Sequence, residues 1–234
     1  MQADFEGFPA GLFRFLKDLS NNNNREWFNE NKERYLKTVS TPVCDFVVAM
    51  APKLGKLANC YIADPRPHGG SMFRIYRDAR FSKDKRPYKE HVGCHFRHEA
   101  GKDAHAPGFY VHIEVNKVLF GGGIWMPPNS VLYKIRDAIV ENPDKWKRIK
   151  NSRSVNARTN GISGDGLKRA PRGYDEDHVH IEDIKRKTYF AMTEVNLKMA
   201  KSPEFIKEVV KTFRAISPMM AFITEALDLP YQRL

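Results

Sequence analysis

Apolar residues in the N-terminal quarter of the chain recur at the spacing of a helical face. The apolar positions after Pro9 predict a first helix, and the polar run at residues 21–24 ends it. That polar run also offers an N-cap for a second helical segment, which includes Trp27 and Leu36. Thr41 and Pro42 begin a third helix, because proline is tolerated in a first helical turn.

The pattern changes after residues 64–70, where prolines and glycines break any helix. Beyond them, the alternation of apolar and polar residues predicts strands at residues 72–76, 91–98, 108–115, 117–125 and 188–195. A hairpin turn is expected around Asn116, and further helices are expected after Pro128, at residues 143–150 and at residues 203–227. Helices thus flank the strands without β-α alternation. We therefore predict an α+β fold, with a central, mostly antiparallel sheet flanked by N-terminal and C-terminal helices in a single domain of residues 1–234.

Composition narrows the class of protein. A chain of 234 residues that is 41% hydrophobic can bury a sizeable core. No apolar run approaches the roughly 20 residues of a membrane span, and the first residues lack a signal-peptide core. Three widely spaced cysteines fit a reducing compartment better than a disulfide framework. The sequence predicts a cytoplasmic protein without a membrane segment, and it makes no prediction of oligomeric state.

The charge is strongly basic and locally concentrated. The 39 Lys and Arg residues exceed the 28 Asp and Glu residues, and the net charge of +11 favours anionic partners. Residues 73–91 contain the densest basic run, and arginine presents planar donors that suit phosphate or carboxylate. The candidate ligand-binding residues are Arg74, Arg77, Arg80, Lys83, Lys85, Tyr88 and Lys89, with Arg172 from a second basic region at residues 145–173. The alternative is a solvated loop in which Asp78 and Asp84 pair with neighbouring arginines.

Three further residues could supply chemistry beside these cations. His112 and Glu114 share one face of a predicted strand, and with Tyr76 they are the candidate catalytic residues, able to orient an anion or move protons. His91 lies on a different predicted strand, so a three-ligand metal site would require a particular strand pairing. No zinc signature is present. The sequence therefore predicts no metal and no cofactor.

Two glycine-containing segments carry weaker signals. Gly121-Gly122-Gly123 lacks the Lys-Ser/Thr ending of a phosphate loop, and it predicts a bent strand or a close backbone approach. Residues 164–178 deliver basic, aromatic, acidic and imidazole groups within one turn-rich segment. That segment is either a rigid surface loop or a part of the site.

Four motifs together resemble those of the domain of unknown function 2461 family. They are the runs at residues 73–91, 108–114, 121–127 and 167–174. The resemblance covers nearly the whole chain and implies one compact domain of bacterial type, with no established activity. Val115 and Val179 stand where such proteins often have proline, so the local turn geometry is expected to differ there.

The leading hypothesis is a protein that binds a phosphorylated or polycarboxylate small molecule, and that could act on it as an enzyme. Electrostatic stabilisation by Arg and Lys, with acid–base help from His112, would then be the mechanism. The alternative is a protein that binds or processes nucleic acid, with phosphates on the same cations and a base stacked on Phe81, Tyr88 or Trp125. A third hypothesis is an interaction protein with an acidic partner.

Overall fold

The computed structural model describes residues 5–101 and 105–232, and its N-terminal part is helical. The helices are α1 (Ala10–Asn21), α2 (Arg25–Glu30), α3 (Lys32–Tyr35), a π-helical turn (Leu36–Ser40) and α4 (Thr41–Leu57). The side chain of Asn24 accepts a hydrogen bond of 2.9 Å from the backbone N–H of Trp27, which confirms the predicted N-cap. Pro42 lies in the first turn of α4.

The strands form one antiparallel sheet in the order β1-β2-β3-β4. Their bounds are β1 (Val92–Arg97), β2 (Gly108–Ile113), β3 (Val118–Ile124) and β4 (Tyr189–Val195). The predicted hairpin between β2 and β3 is present, and the N–H of Glu114 donates to the carbonyl of Lys117 across it, at 2.7 Å. The α+β prediction is confirmed.

The second half of the chain adds helices around the sheet. They are α5 (Asn129–Glu141), α6 (Pro143–Lys150), α7 (Arg153–Arg158), α8 (Ile181–Ile184), α9 (Leu197–Ala200) and α10 (Phe205–Glu225). Within residues 5–101 and 105–232, no helix combines the length and the apolar character that crossing a bilayer requires.

Helix α10 covers one face of the sheet and forms the core with it. Phe213 of α10 stacks on Phe109 of β2 with ring centroids 4.6 Å apart, and Phe205 meets Phe120 of β3 edge-on at 5.5 Å. Phe46 of α4 packs against Phe205 as well, at 5.8 Å. Burial of these rings contributes to the hydrophobic stabilisation of the fold. The single-domain assignment over residues 1–234 stays a prediction.

The structure differs from the sequence prediction at residues 72–76, which do not form a strand. Met72 makes a single bridge to Cys94 of β1, and Tyr76 makes another to Tyr88 in the following loop. The N–H of Phe73 still donates to the carbonyl of Gly93, at 2.8 Å. Residues 72–73 therefore pair with β1, and Tyr76 pairs with the loop that follows. Each pairing is too short to form a regular strand.

Candidate functional site

The face of the sheet opposite α10 is shaped by glycines. A Cβ on Gly93 would lie 2.6 Å from the hydroxyl of Tyr110, and one on Gly108 would overlap the ring of His95. The rings of Tyr110 and His95 can therefore lie across the sheet because these two neighbours have no side chain. The glycines on this face make room for aromatic and imidazole side chains.

A cavity of about 480 Å³ lies on this open face. Its lining is mostly apolar and includes the side chains of Phe73, Leu119, Phe190 and Met192. His95, Tyr110 and His112 contribute the polar part of the lining, while the exposed ring of Trp125 adjoins that of Phe190 with centroids 6.0 Å apart. A mostly apolar concave site with a few polar groups is the usual form of a small-molecule site.

His112 is held from both sides at this cavity. Its Nδ1 lies 3.0 Å from the hydroxyl of Tyr110, and its Nε2 lies 2.7 Å from Oε1 of Glu114. A carboxylate only accepts hydrogen bonds, so in neutral His112 the Nε2–H donates to Glu114 and Nδ1 accepts from the Tyr110 hydroxyl. Burial raises the pKa of Tyr110 well above its usual range, which keeps this hydroxyl protonated. The imidazole is therefore fixed in orientation.

His91 lies beside His112 because of the strand register. Val92 pairs with Ile113 and Gly93 with His112, so the residue before β1 reaches the end of β2 near Glu114. The two imidazole centroids are 4.5 Å apart with an angle of 30° between the rings. Burial, His112 and Lys89 lower the pKa of His91 to about 4, so this imidazole is neutral at pH 7.

Two cations of the basic segment, Lys89 and to a smaller extent Arg77, contribute to the low pKa of His91. The ammonium of Lys89 donates to the carbonyl of Arg74 at 2.9 Å and lies 5.4 Å from the ring centroid of Phe73, a lining residue of the cavity. Burial lowers the pKa of Lys89. Its positive charge thus stands at the edge of the cavity.

Arg77 and several other cations of the segment are held by local partners. Arg77 pairs with Asp84 at 2.6 Å and Arg80 with Asp78 at 2.7 Å. The ammonium of Lys85 donates to the carbonyl of Ala79 at 3.1 Å. The structure therefore contains the ion pairs of the solvated-loop alternative, and much of the charge of this loop is internally compensated.

The remaining candidates lie in different surroundings. Tyr88 is buried and stacks on Phe28 with centroids 4.1 Å apart, so its ring belongs to the core. Tyr76 is half-exposed beside Tyr88, and Arg74, Lys83 and Arg172 are exposed.

The second basic region makes contacts elsewhere in the molecule. Lys145 and Arg158 pair with Glu225 and Glu208 of α10, at 2.9 and 2.5 Å. In the loop at residues 164–178, the hydroxyl of Tyr174 donates to Asp137 of α5 at 2.7 Å. These contacts anchor the region to α5 and α10, so they give it a structural role.

The sequence analysis named His112, which lines the cavity, and Glu114, which contacts His112, but it did not predict the cavity itself. His95 and Tyr110 face it, and so do Phe190 and Met192, whose strand lies far along the chain from β2. The available signal was that Gly108 of β2 and Gly121 and Gly123 of β3 fall on one face of the sheet by strand alternation, where they leave room between the larger side chains. Which face α10 would cover could not be deduced from that set alone.

No curated protein sequence matches this chain. A family of conserved hypothetical proteins does match it, over residues 11–222, which include strands β1 to β4 and the residues that line the cavity. The chain therefore belongs to the family of conserved hypothetical proteins DUF2461.

Proposed function

We propose that this protein binds a small organic anion, a phosphorylated molecule or a polycarboxylate, in the cavity on the open face of the sheet. The observation that carries the proposal is an apolar cavity lining that continues into the polar group of His91, His112 and Glu114, with the ammonium of Lys89 beside the lining residue Phe73. Phe190 and Met192 would contact the body of the ligand, while Lys89 would attract its charged group.

The polar end of the cavity is suited to proton transfer. His112 is oriented by Tyr110 and Glu114, and the neutral imidazole of His91 lies beside it. An oriented imidazole next to a bound anion can act as a general acid or base, and Lys89 would stabilise negative charge that develops nearby. If the bound molecule reacts, we propose acid–base catalysis by His112 as the mechanism.

We also propose a cytosolic location. Cys44, Cys60 and Cys94 are all free thiols, and the last two are buried. Free thiols are the usual state of cysteine in a reducing compartment.

Ligand binding can be tested by calorimetry and thermal shift on chelator-treated protein. The probes are phenyl phosphate, benzene-1,3-dicarboxylate, benzyl alcohol and inorganic phosphate. We expect the two aromatic anions to bind and to raise the melting temperature. The neutral alcohol should not bind, because it lacks a group for Lys89, and inorganic phosphate should bind more weakly, because it lacks an apolar body.

Two variants locate the binding. Leu119→Trp should fill the cavity and abolish binding, and Lys89→Gln should weaken it by about tenfold or more, the loss expected from one charge-assisted hydrogen bond. Lys53→Gln, which changes an exposed lysine on α4, is the matched control and should bind as the wild type does. Equal binding of the neutral alcohol, or full binding by Leu119→Trp, would refute the proposal.

One observation favours a second candidate function, nucleic-acid binding. Phe81 is 95% exposed at the tip of the basic loop, and the guanidinium of Arg80 lies 5.7 Å from its ring centroid. An exposed aromatic ring among cations is the arrangement on which single-stranded bases stack. Its test is argued in the Discussion.

A further inference from the structure

Three side chains that can ligate a metal converge at the polar end of the cavity. His91, His112 and Glu114 each offer one donor atom, and these atoms all lie within 4.8 Å of one another. The antiparallel register of β1 and β2 produces this convergence, because it sets the residue before Val92 beside the end of β2. The strand pairing that a three-ligand site requires is thus the pairing that the fold adopts.

The donor set is that of a transition-metal site. Two imidazole nitrogens and one carboxylate oxygen suit zinc or ferrous iron, whereas calcium and magnesium prefer oxygen ligands alone. Bonds of about 2.0–2.2 Å around a tetrahedral ion place donor atoms roughly 3.3 Å apart. The donor atoms now lie within 4.8 Å of one another, and side-chain rotations that bring them to about 3.3 Å would complete the site.

Tyr110 supplies the outer contact that metal-bound histidines usually have. Its hydroxyl lies 3.0 Å from Nδ1 of His112, leaving Nε2 as the nitrogen that faces Glu114. A metal on Nε2 requires the proton on Nδ1, and the Tyr110 oxygen can accept that hydrogen bond after its hydroxyl turns. The imidazole therefore keeps its contact with Tyr110 when its tautomer changes, and the metal replaces the hydrogen bond between Nε2 and Glu114. Both nitrogens are then engaged, so the acid–base role proposed for His112 belongs to the metal-free protein.

Positive charge nearby opposes a dication, so the balance has to be considered. Glu114 brings one negative charge into the group, and Asp84 lies 2.6 Å from the guanidinium of Arg77 and compensates it. The ammonium of Lys89 is directed to the carbonyl of Arg74, at 2.9 Å. The net positive charge that remains would favour an anion as a further ligand of the metal.

We infer that His91, His112 and Glu114 bind one divalent transition-metal ion, and that the anion bound in the cavity completes its coordination. The metal site stands on its own geometry, and only the clause about the anion rests on the proposed function. His112 lines the cavity and also belongs to the ligand group, so the ion would adjoin the bound molecule.

The test uses the full chain after chelator treatment, titrated with Zn²⁺ by calorimetry and with Co²⁺ by visible absorption. We expect one equivalent of each ion to bind per chain. The visible absorption spectrum of bound Co²⁺ should differ from that of Co²⁺ in water, because protein side chains replace water ligands. His91→Ala and His112→Ala should each weaken binding by more than about a hundredfold, beyond the roughly 10–100-fold that loss of an outer contact costs. The matched control is His68→Ala, which removes an exposed histidine that does not belong to the ligand group.

Two variants keep the test valid if a histidine variant fails to fold. Glu114→Gln changes a partly exposed side chain at nearly constant shape, and it should still weaken binding clearly. Tyr110 positions His112 and does not bind the metal, so Tyr110→Phe should weaken metal binding only about 10–100-fold. Nitrogen NMR of the wild-type protein should show that His112 changes tautomer when the metal is added. Unchanged Zn²⁺ binding in His91→Ala, His112→Ala and Glu114→Gln would overturn the inference, as would the absence of stoichiometric binding.

Anion titrations of the chelated and the Zn²⁺-loaded protein separate the two proposals. Tighter binding of phenyl phosphate to the loaded protein supports the inference. If anions bind the chelated protein equally well and the metal does not bind, the inference fails and the proposed function survives. If the metal binds and no anion binds either form, the proposed function and the clause about the anion fail together.

Discussion

The carboxylate of Asp183 accepts a hydrogen bond of 2.8 Å from the ammonium of Lys150, although only 5% of the Asp183 side chain is exposed. The same oxygen lies 3.0 Å from Nε1 of Trp146, and Nε of Arg186 lies 3.3 Å from the other oxygen. A buried carboxylate is tolerated only when donors surround it. These contacts join α8 to α6 around the buried ring of Trp146.

Replacement of Asp183 should therefore destabilise the protein. Asp183→Asn keeps the shape of the side chain but leaves the ammonium of Lys150 and the guanidinium of Arg186 without their counter-charge. We expect the free energy of unfolding to fall by about 3 kcal/mol, the usual cost of breaking a buried pair. Urea denaturation measures this free energy. The control is Glu204→Gln, which breaks the exposed ion pair with Lys207 and should change the free energy of unfolding little. An unchanged urea midpoint would contradict this interpretation.

The same carboxylate should make stability depend on pH. Burial by itself would raise the pKa of Asp183, but the hydrogen bonds from Lys150 and Trp146 outweigh it and the pKa is lowered. The unfolded chain then binds the proton more readily, so this stabilisation is complete above the ordinary pKa of about 3.9 and is lost as pH falls below it. The difference in urea midpoint between wild type and Asp183→Asn should become smaller as the pH falls from 6 to 3. A constant difference would count against the assignment.

The fold was largely predictable because its elements have strong local signals. Residues 143–150 were predicted as a helix with the bounds that α6 has, and the hairpin around Asn116 is present. The exception is residues 72–76, where the alternation was that of a strand. The edge of β1 accepts only part of this segment, and a partner for the rest is a tertiary property that the alternation does not reveal.

The candidate site was predictable only in part for a related reason. Arginines stand out in a sequence, whereas the contacts of Arg80 and Arg77 with Asp78 and Asp84 depend on how the loop folds. The cavity depends on the absence of side chains at glycines and on which face α10 covers. Both are properties of the packed sheet, so local composition could not indicate them.

Substitution of a β3 glycine by alanine should destabilise the protein where the backbone of β4 lies close to that glycine. A Cβ on Gly121 would overlap the carbonyl oxygen of Ala191 in β4, which is backbone and cannot turn aside. We expect Gly121→Ala to lower the free energy of unfolding by about 2–4 kcal/mol, as overpacking against a fixed neighbour does.

The matched substitution on α4 should have the opposite effect. Nothing lies within 4 Å of a Cβ on Gly55, and alanine favours a helix over glycine, so Gly55→Ala should stabilise by about 0.5–1 kcal/mol. Thermal unfolding of the two variants measures both changes: the melting temperature should fall in Gly121→Ala and rise in Gly55→Ala. Equal effects would show that the close contact between β3 and β4 has no energetic consequence.

The exposed ring of Phe81 allows a direct test of nucleic-acid binding. Arg80 holds the pKa of Asp78 at about 2 through their hydrogen bond, so this aspartate stays charged and offsets part of the basic loop. We therefore expect a single-stranded oligonucleotide to bind weakly, with an affinity that falls as salt rises, by about tenfold between 0.05 and 0.15 M if roughly three phosphates are contacted. Fluorescence anisotropy across a salt series measures this.

Phe81→Ser then separates charge from stacking. If contact with the loop is electrostatic, this variant should bind as weakly as the wild type, because its charge is unchanged. A stacked base would contribute about 1–3 kcal/mol, so its loss would lower the affinity by about tenfold or more. Tight binding that persists near 0.15 M salt and is lost in Phe81→Ser would make nucleic acid the better-supported ligand. The small-molecule proposal would then have to rest on the cavity alone, because the basic loop would already have its own partner.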